Sequence, residues 1–315
     1  MTTVIYLGAT EGFEAASATL AGVAEVTHVP AEPGAVASAM SVADALLDAS
    51  MKVPLSETML EAASGLRIIS CATTGSDHIA RVGLDRRGVP VRTLREDPDL
   101  LRNITPAAEL SWALLMACAR RLPAAVAHVS AGGWTREAFP GTMLNGKRLG
   151  LVGCGRIGGW MARYGAAFGM DVIGYDPHLQ TFPDSIRRVP LAQVFAEADF
   201  VSVHVHLSPE TSGLVSAELI AGMKRGAVLI NTSRGAIVDE TALAEALRSR
   251  HLGGAGLDVL DGEPETAEHP LVKLGRTHDN VLITPHCGGF SPDAVRIVCA
   301  RAAEKIRDVL EEREA

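Results

Sequence analysis

Three ionisable residues, Arg234, Glu263 and His286, follow one another in the second half of a 315-residue chain. Their types suit one kind of chemistry. A guanidinium grips the planar carboxylate of a 2-oxo acid and polarises the neighbouring carbonyl oxygen. An imidazolium supplies the proton that this oxygen needs when hydride reaches the carbonyl carbon, and the neutral ring takes it back in the reverse direction. A carboxylate on the other ring nitrogen orients the imidazole and favours its charged form. Taken singly, each has an ordinary structural reading: a surface arginine, a loop Glu-Pro, a structural histidine.

Upstream of the trio stands a glycine-rich turn, Gly153-Cys154-Gly155-Arg156-Ile157-Gly158, after the apolar run Leu149 to Val152 and before a helical pattern. Gly153 permits the tight turn, Gly155 lets backbone approach a pyrophosphate, and Gly158 packs the helix closely on the strand. The helix N-terminus, at Arg156 and Ile157, offers free N–H groups and partial positive charge to the phosphates. Asp176 ends the next apolar run, eighteen residues past Gly158. A carboxylate there accepts ribose hydroxyls and repels a 2′-phosphate, so the expected cofactor is NAD rather than NADP.

Elements that position these groups read from the periodicity. Apolar runs at Val4 to Ala9, Glu25 to Val29, Ala43 to Leu47 and Arg67 to Cys71 are expected strands, with helices around Phe13 to Leu20 and Glu57 to Ala63. Thr105-Pro106 reads as an N-cap followed by proline at the first helical position, opening a helix that runs to about Arg121 and ends at Pro123. A second series has strands at Leu149 to Gly153, Asp171 to Tyr175, Phe200 to Val205, Ala227 to Asn231, Gly256 to Val259 and Val281 to Ile283. Its helices lie near Ile157 to Phe168, Leu191 to Ala196 and Glu240 to Ser249. A terminal helix, Pro292 to Glu312, carries Ala294, Ile297, Val298, Ala302, Ile306 and Leu310 as its apolar stripe. Strands alternating with helices imply parallel sheets covered on both faces. The expected architecture is α/β, two doubly wound parallel-sheet domains with a cleft between them.

The chain resembles the D-isomer-specific 2-hydroxyacid dehydrogenase family over nearly its whole length. Asn231-Thr232-Ser233-Arg234-Gly235-Ala236 is similar to the stretch bearing the family's catalytic arginine. Asp258-Val259-Leu260-Asp261-Gly262-Glu263-Pro264 resembles the one with its glutamate, and Thr284-Pro285-His286-Cys287-Gly288-Gly289 the one with its histidine. The resemblance implies a flavodoxin-like substrate domain, 1–103 with 289–315, and a Rossmann NAD domain, 104–288, that close over the substrate. It further implies that Asp258 bonds the nicotinamide carboxamide and that His204, Thr232 and Gly288 contact the cofactor. Backbone N–H groups of Thr74-Gly75-Ser76 would hold the substrate carboxylate together with Arg234. The loop from Gly132 to Leu149 would help form a homodimer, and no regulatory domain is expected after the last helix.

Phosphoglycerate dehydrogenases of this family use extra arginines for their phosphate. The resemblance puts Asp48 and Cys71 at two of those places, and only Arg136 matches a third. A carboxylate facing a phosphate repels it, so a smaller acid such as glyoxylate, hydroxypyruvate or a short alkyl analogue is the expected substrate. Two other readings use the same scaffold: an NADH-sensing corepressor-like binding protein, and a phosphite dehydrogenase. Formate oxidation would pair the histidine with glutamine, and Glu263 opposes it.

Bulk properties narrow the field. A net charge of −8 offers no basic field for nucleic acid or anionic lipid, so neither is an expected partner. Five scattered cysteines without a C-x-x-C pair argue against disulfides and a metal site and suit a reducing, cytoplasmic setting. Cys154 and Cys287 read as small apolar fillers rather than redox groups. The first residues lack the pattern of a signal peptide.

Overall fold

The computed structural model describes residues 2–312. One compact unit comprises the chain up to Ile104 together with the segment from Phe290; the other is Thr105–Gly289.

In the first unit, β1 (Thr3–Leu7), β2 (Glu25–His28), β3 (Ala45–Asp48), β4 (Ile68–Cys71) and β5 (Val91–Arg92) form a parallel sheet in the order β2-β1-β3-β4-β5. Alternation along β1 explains its two covered faces. Val4 and Tyr6 join a cluster with Ala16, Leu20, Cys299 and Ile306, while Ile5 and Leu7 join Val36, Met40 and Leu60. The helix Pro292–Glu312 therefore packs on this sheet beside the helix Thr10–Thr19.

The second unit holds β6 (Arg148–Val152), β7 (Asp171–Tyr175), β8 (Arg187–Arg188), β9 (Phe200–Val203), β10 (Val228–Asn231), β11 (Gly254–Leu257) and β12 (Val281–Ile283). All are parallel, in the order β12-β11-β10-β9-β6-β7-β8. Strand order reverses between β6 and β9, the switch point where doubly wound sheets bind ligands beyond their carboxyl ends.

Several local expectations are corrected. Thr105 and Pro106 stand at the N-cap and first position of the helix Pro106–Ala119 as expected, but the Thr105 hydroxyl caps no N–H and donates to Glu109 Oε1 at 2.5 Å. Pro123 ends nothing: it lies in the first turn of a further helix, Leu122–Ser130, where a missing N–H costs little. That helix buries none of its residues, so no polar face contrasts with an apolar one and its period is unreadable. Helices at Pro33–Met40 and Val82–Arg87 were likewise unforeseen. β11 begins two residues earlier than expected, at Gly254, because two of its four residues are glycine and carry no apolar signal. Ile297 is 47% exposed. At 3.6 residues per turn it lies about 200° from Val295, on the side opposite Val295, Cys299, Ala302 and Ile306, which form the buried stripe.

Candidate active site

Most expected site residues of the second unit lie just past the carboxyl end of a strand, with Glu263 farther along the loop after β11. Gly153 follows β6, Asp176 follows β7, His204 follows β9, Arg234 follows β10, Asp258 follows β11 and His286 follows β12.

The turn after β6 has the form a dinucleotide needs. Gly153 has φ +90°, and a Cβ there would stand 2.5 Å from the His204 carbonyl oxygen across the switch point. A Cβ at Gly158 would stand 2.1 Å from the Gly153 carbonyl oxygen, so the helix Arg156–Ala167 starts hard against the strand. Over Gly155 the space is open, with nothing within 4 Å of a built Cβ. The N–H groups of Gly155 and Ile157 donate to no acceptor among the described residues. An open cradle of unpaired N–H groups at a helix start fits a pyrophosphate. Asp176 ties this turn down: Oδ2 accepts the Cys154 N–H at 3.0 Å, and Oδ1 accepts those of His178 and Leu179.

His286 and Glu263 are paired, Nδ1 to Oε1 at 2.6 Å. No partner for His286 Nε2 is found among the described residues. His286 has φ +53°, a left-handed backbone that costs a non-glycine residue on the order of 1 kcal/mol or more. Its surroundings impose that conformation. His286 N–H donates to the Asp258 carbonyl oxygen at 2.8 Å; Asp258 Oδ1 accepts from Cys287 N–H at 2.9 Å and Thr284 Oγ1 at 2.5 Å. Asp258, expected to bond a carboxamide, is 1% exposed and has both oxygens committed to the histidine loop.

Arg234 is held from below. Buried Asn231 donates through Nδ2 to the Arg234 carbonyl oxygen at 2.9 Å and accepts the Ser233 N–H at 3.0 Å, while Ser233 Oγ donates to the Val203 carbonyl. Arg234 Nη1 donates to the Ser233 carbonyl at 2.7 Å. Thr232 shares a 2.7 Å hydrogen bond with Ser111, itself fully buried. Gly235 brings this loop to the one carrying Glu263: a Cβ there would lie 2.0 Å from Asp261 N and 2.1 Å from Leu260 C. Glu240 braces the same approach, accepting the Asp261 N–H at 3.2 Å and His269 Nε2–H at 2.9 Å. Since His269 Nδ1 accepts from Leu271 N–H, its proton belongs on Nε2. Sequence reasoning passed over Asn231, Gly235, Glu240 and Ser111. The first two stood inside the arginine motif, whereas the contacts of Ser111 and Glu240 are long-range and left no local signal.

One histidine is excluded as a proton carrier. Burial pushes the His204 ring down to about 3, and its Nε2 lies 2.8 Å from Ser202 Oγ. It is neutral at physiological pH, whereas His286, like His269, has a carboxylate partner.

In the first unit, the loop after β4 carries Thr74, Gly75 and Ser76, whose N–H groups donate to no acceptor among the described residues. Asp48 and Cys71 do not face a ligand. Both are 0% exposed, and Asp48 pairs with His78 Nε2 at 2.8 Å. The expected direct approach of Asp48 to a phosphate is therefore withdrawn: its carboxylate is inside the unit and already paired.

A family model described as "D-isomer specific 2-hydroxyacid dehydrogenase, NAD binding domain" matches residues 112–288. The D-3-phosphoglycerate dehydrogenase of Synechocystis sp. is 40% identical over 259 residues, 81% of this chain and 45% of that one. The hydroxypyruvate reductase of Thermotoga maritima is 38% identical over 250 residues, 79% of each. The crystal structure of TT0316 protein from Thermus thermophilus superposes with a TM-score of 0.86 at 35% identity, covering 98% of this chain and 97% of that one. The chain spans about half the length of the phosphoglycerate dehydrogenases it matches. With a family model over more than half its length and a reductase matched across four-fifths of both chains, the protein belongs to the D-isomer specific 2-hydroxyacid dehydrogenase family and carries its NAD binding domain.

Proposed function

We propose that the protein is an NAD-dependent oxidoreductase that interconverts a small 2-oxo acid and its D-2-hydroxy acid. The observation that carries this reading is the 2.6 Å pair of His286 and Glu263, on loops that Gly235 and Asp258 draw together beside Arg234. NAD, when bound, carries the hydride. Gly153, Gly155, Arg156, Ile157 and Gly158 hold its pyrophosphate, and Asp176 its adenosine ribose. Backbone groups of His204, Thr232 and Gly288 line the rest.

Arg234 grips the substrate carboxylate and polarises the carbonyl oxygen. His286 Nε2 gives the proton to that oxygen in reduction and removes it in oxidation, while Glu263 holds the ring through Nδ1. Asp258 acts through the loop it fixes. In the first unit, the N–H groups of Thr74, Gly75 and Ser76 form a receptor for a carboxylate.

For substrate we propose an acid without a phosphate, such as glyoxylate or hydroxypyruvate. Support rests on the likeness to a hydroxypyruvate reductase over 79% of each chain, since buried positions 48 and 71 face no substrate. A homodimer is proposed on the exposed apolar side chains of Val126, Val129, Trp134 and Met143. Sedimentation as a monomer at micromolar concentration would count against it. A cytoplasmic setting is proposed on the scattered cysteines. No single described helix is long and apolar enough to cross a membrane.

The test follows NADH absorbance with a panel of 2-oxo acids, and NAD reduction with formate and phosphite. Turnover of a small 2-oxo acid, exceeding that of 3-phosphohydroxypyruvate and lowered about 10²–10⁴-fold by His286→Asn, is expected. Tight NADH binding without turnover of any acid would favour the corepressor-like reading, and NAD reduction by phosphite alone the phosphite reading.

A further inference from the structure

A second acid–imidazole pair lies in the first unit, at the carboxyl ends of β3 and β4. Asp48 is 0% exposed and ends β3. Its Oδ1 accepts the Ser50 N–H at 2.7 Å, the Ser50 hydroxyl at 2.9 Å and the Met51 N–H at 3.1 Å, and its Oδ2 lies 2.8 Å from His78 Nε2. Met51 takes φ +55°, so the loop after β3 is held in a backbone form that its own residues disfavour. His78 follows the Thr74-Gly75-Ser76 segment, and the Ser76 carbonyl accepts the Ile79 N–H at 3.1 Å. The His78 carbonyl in turn accepts the Leu55 N–H at 2.8 Å, locking the two loops a second time.

Charge explains the strength of this clasp. Burial raises the Asp48 carboxyl, but the His78 hydrogen bond and charge, with the Ser50 and Met51 N–H groups, outweigh it and hold the carboxyl below its ordinary value. An ionised carboxylate inside the unit binds its donors more tightly than a neutral amide does. His78 Nδ1 is buried with no partner among the described residues, so the ring is fastened through Nε2 alone.

We propose that Asp48 and His78 are positioning residues that set the backbone N–H groups of Thr74, Gly75 and Ser76 for the substrate carboxylate. The inference rests on the 2-oxo acid reading above. The pair does not touch substrate; it fixes the register of the receptor loop against the loop after β3. Losing it leaves the N–H groups present but no longer convergent, which weakens carboxylate binding more than the proton and hydride steps.

Three variants of the full chain test this with NADH and whichever of glyoxylate or hydroxypyruvate the native protein reduces. His78→Leu keeps the volume and removes the donor; His78→Gln keeps a donor near the Nε2 place. His78→Leu should raise KM for the acid on the order of tenfold with kcat changed less than threefold and NADH affinity unaltered. His78→Gln should bring KM back to within about threefold of native. Asp48→Asn should raise KM in the same manner, and it serves as the test if His78→Leu does not fold. Folded variants with native KM, or a KM rise that His78→Gln shares in full, would overturn the proposal. Absence of turnover in the native protein would instead refute the 2-oxo acid reading on which it stands.

Discussion

Asp258 Oδ2 accepts the Gly288 N–H at 2.7 Å, so the end of one strand grips the chain two residues past His286. With Oδ1 on Cys287 N–H and the Thr284 hydroxyl, one buried carboxylate fixes both sides of the histidine. In Asp258→Asn, either orientation of the amide turns an NH2 group against a backbone N–H. A buried donor facing a donor costs about 1–3 kcal/mol. Thermal unfolding should shift down by several degrees, at about 2–4 °C per kcal/mol. kcat should fall with it, because His286 loses the support of its left-handed backbone. A variant with native Tm and native kcat would remove Asp258 from the positioning set.

Gly235 joins the arginine loop to the glutamate loop without a side chain between them. Gly235→Ala places a Cβ 2.0 Å from Asp261 N, a backbone atom that cannot rotate away. The loops must part, at a cost of about 1–3 kcal/mol, which shifts the backbone next to Arg234. Urea unfolding and kcat/KM should both drop. Gly155→Ala is the contrasting case, since nothing lies within 4 Å of its Cβ. It should keep native stability and lose only NADH affinity, because the methyl occupies the phosphate cradle.

What the sequence disclosed and what it hid divide along physical lines. Strands buried on both faces, such as Val228–Asn231 and Asp171–Tyr175, announce themselves as apolar runs, and the glycine turn has fixed spacing because the backbone must pass a phosphate. Family-like segments gave Arg234, Glu263 and His286 as candidates. Hidden were the partners reached through space. Ser111 meets Thr232 across 121 residues, and Glu240 meets His269 across 29. Asp48 misled for the same reason: a carboxylate reads as exposed until its buried partner His78, thirty residues on, is known.

The cysteines offer a check on burial. Cys71, Cys154 and Cys299 are 0%, 3% and 0% exposed. Burial pushes the first two thiols up to about 12 and the third to about 11. Thiolate is the reactive form, so none of the three should react quickly with a disulfide reagent at pH 8. All five cysteines should titrate after unfolding in urea. Rapid modification of Cys154 in the native protein, identified by mass spectrometry, would contradict its role as filler beneath the glycine turn.

The last relationship concerns acid stability. Lys305, 6% exposed on the terminal helix, donates to the Thr93 carbonyl at 2.6 Å and pairs with Asp97 and Glu96, while Arg301 reaches Asp97 at 2.6 Å. Burial raises the Asp97 carboxyl, yet Lys305 and Arg301 outweigh it and hold it below the ordinary value. A depressed carboxyl contributes stability that is complete above its unfolded value, about 3.9, and that disappears as pH falls through the folded value. Asp97→Asn leaves Lys305 under-compensated and should cost about 3 kcal/mol at pH 7. As pH falls below about 4, native and variant proteins should converge, because protonation does to Asp97 what the substitution does. Urea unfolding at pH 7 and at successive lower pH values measures both curves. Parallel curves across that range would show that this charge does not hold the terminal helix against the rest of the first unit.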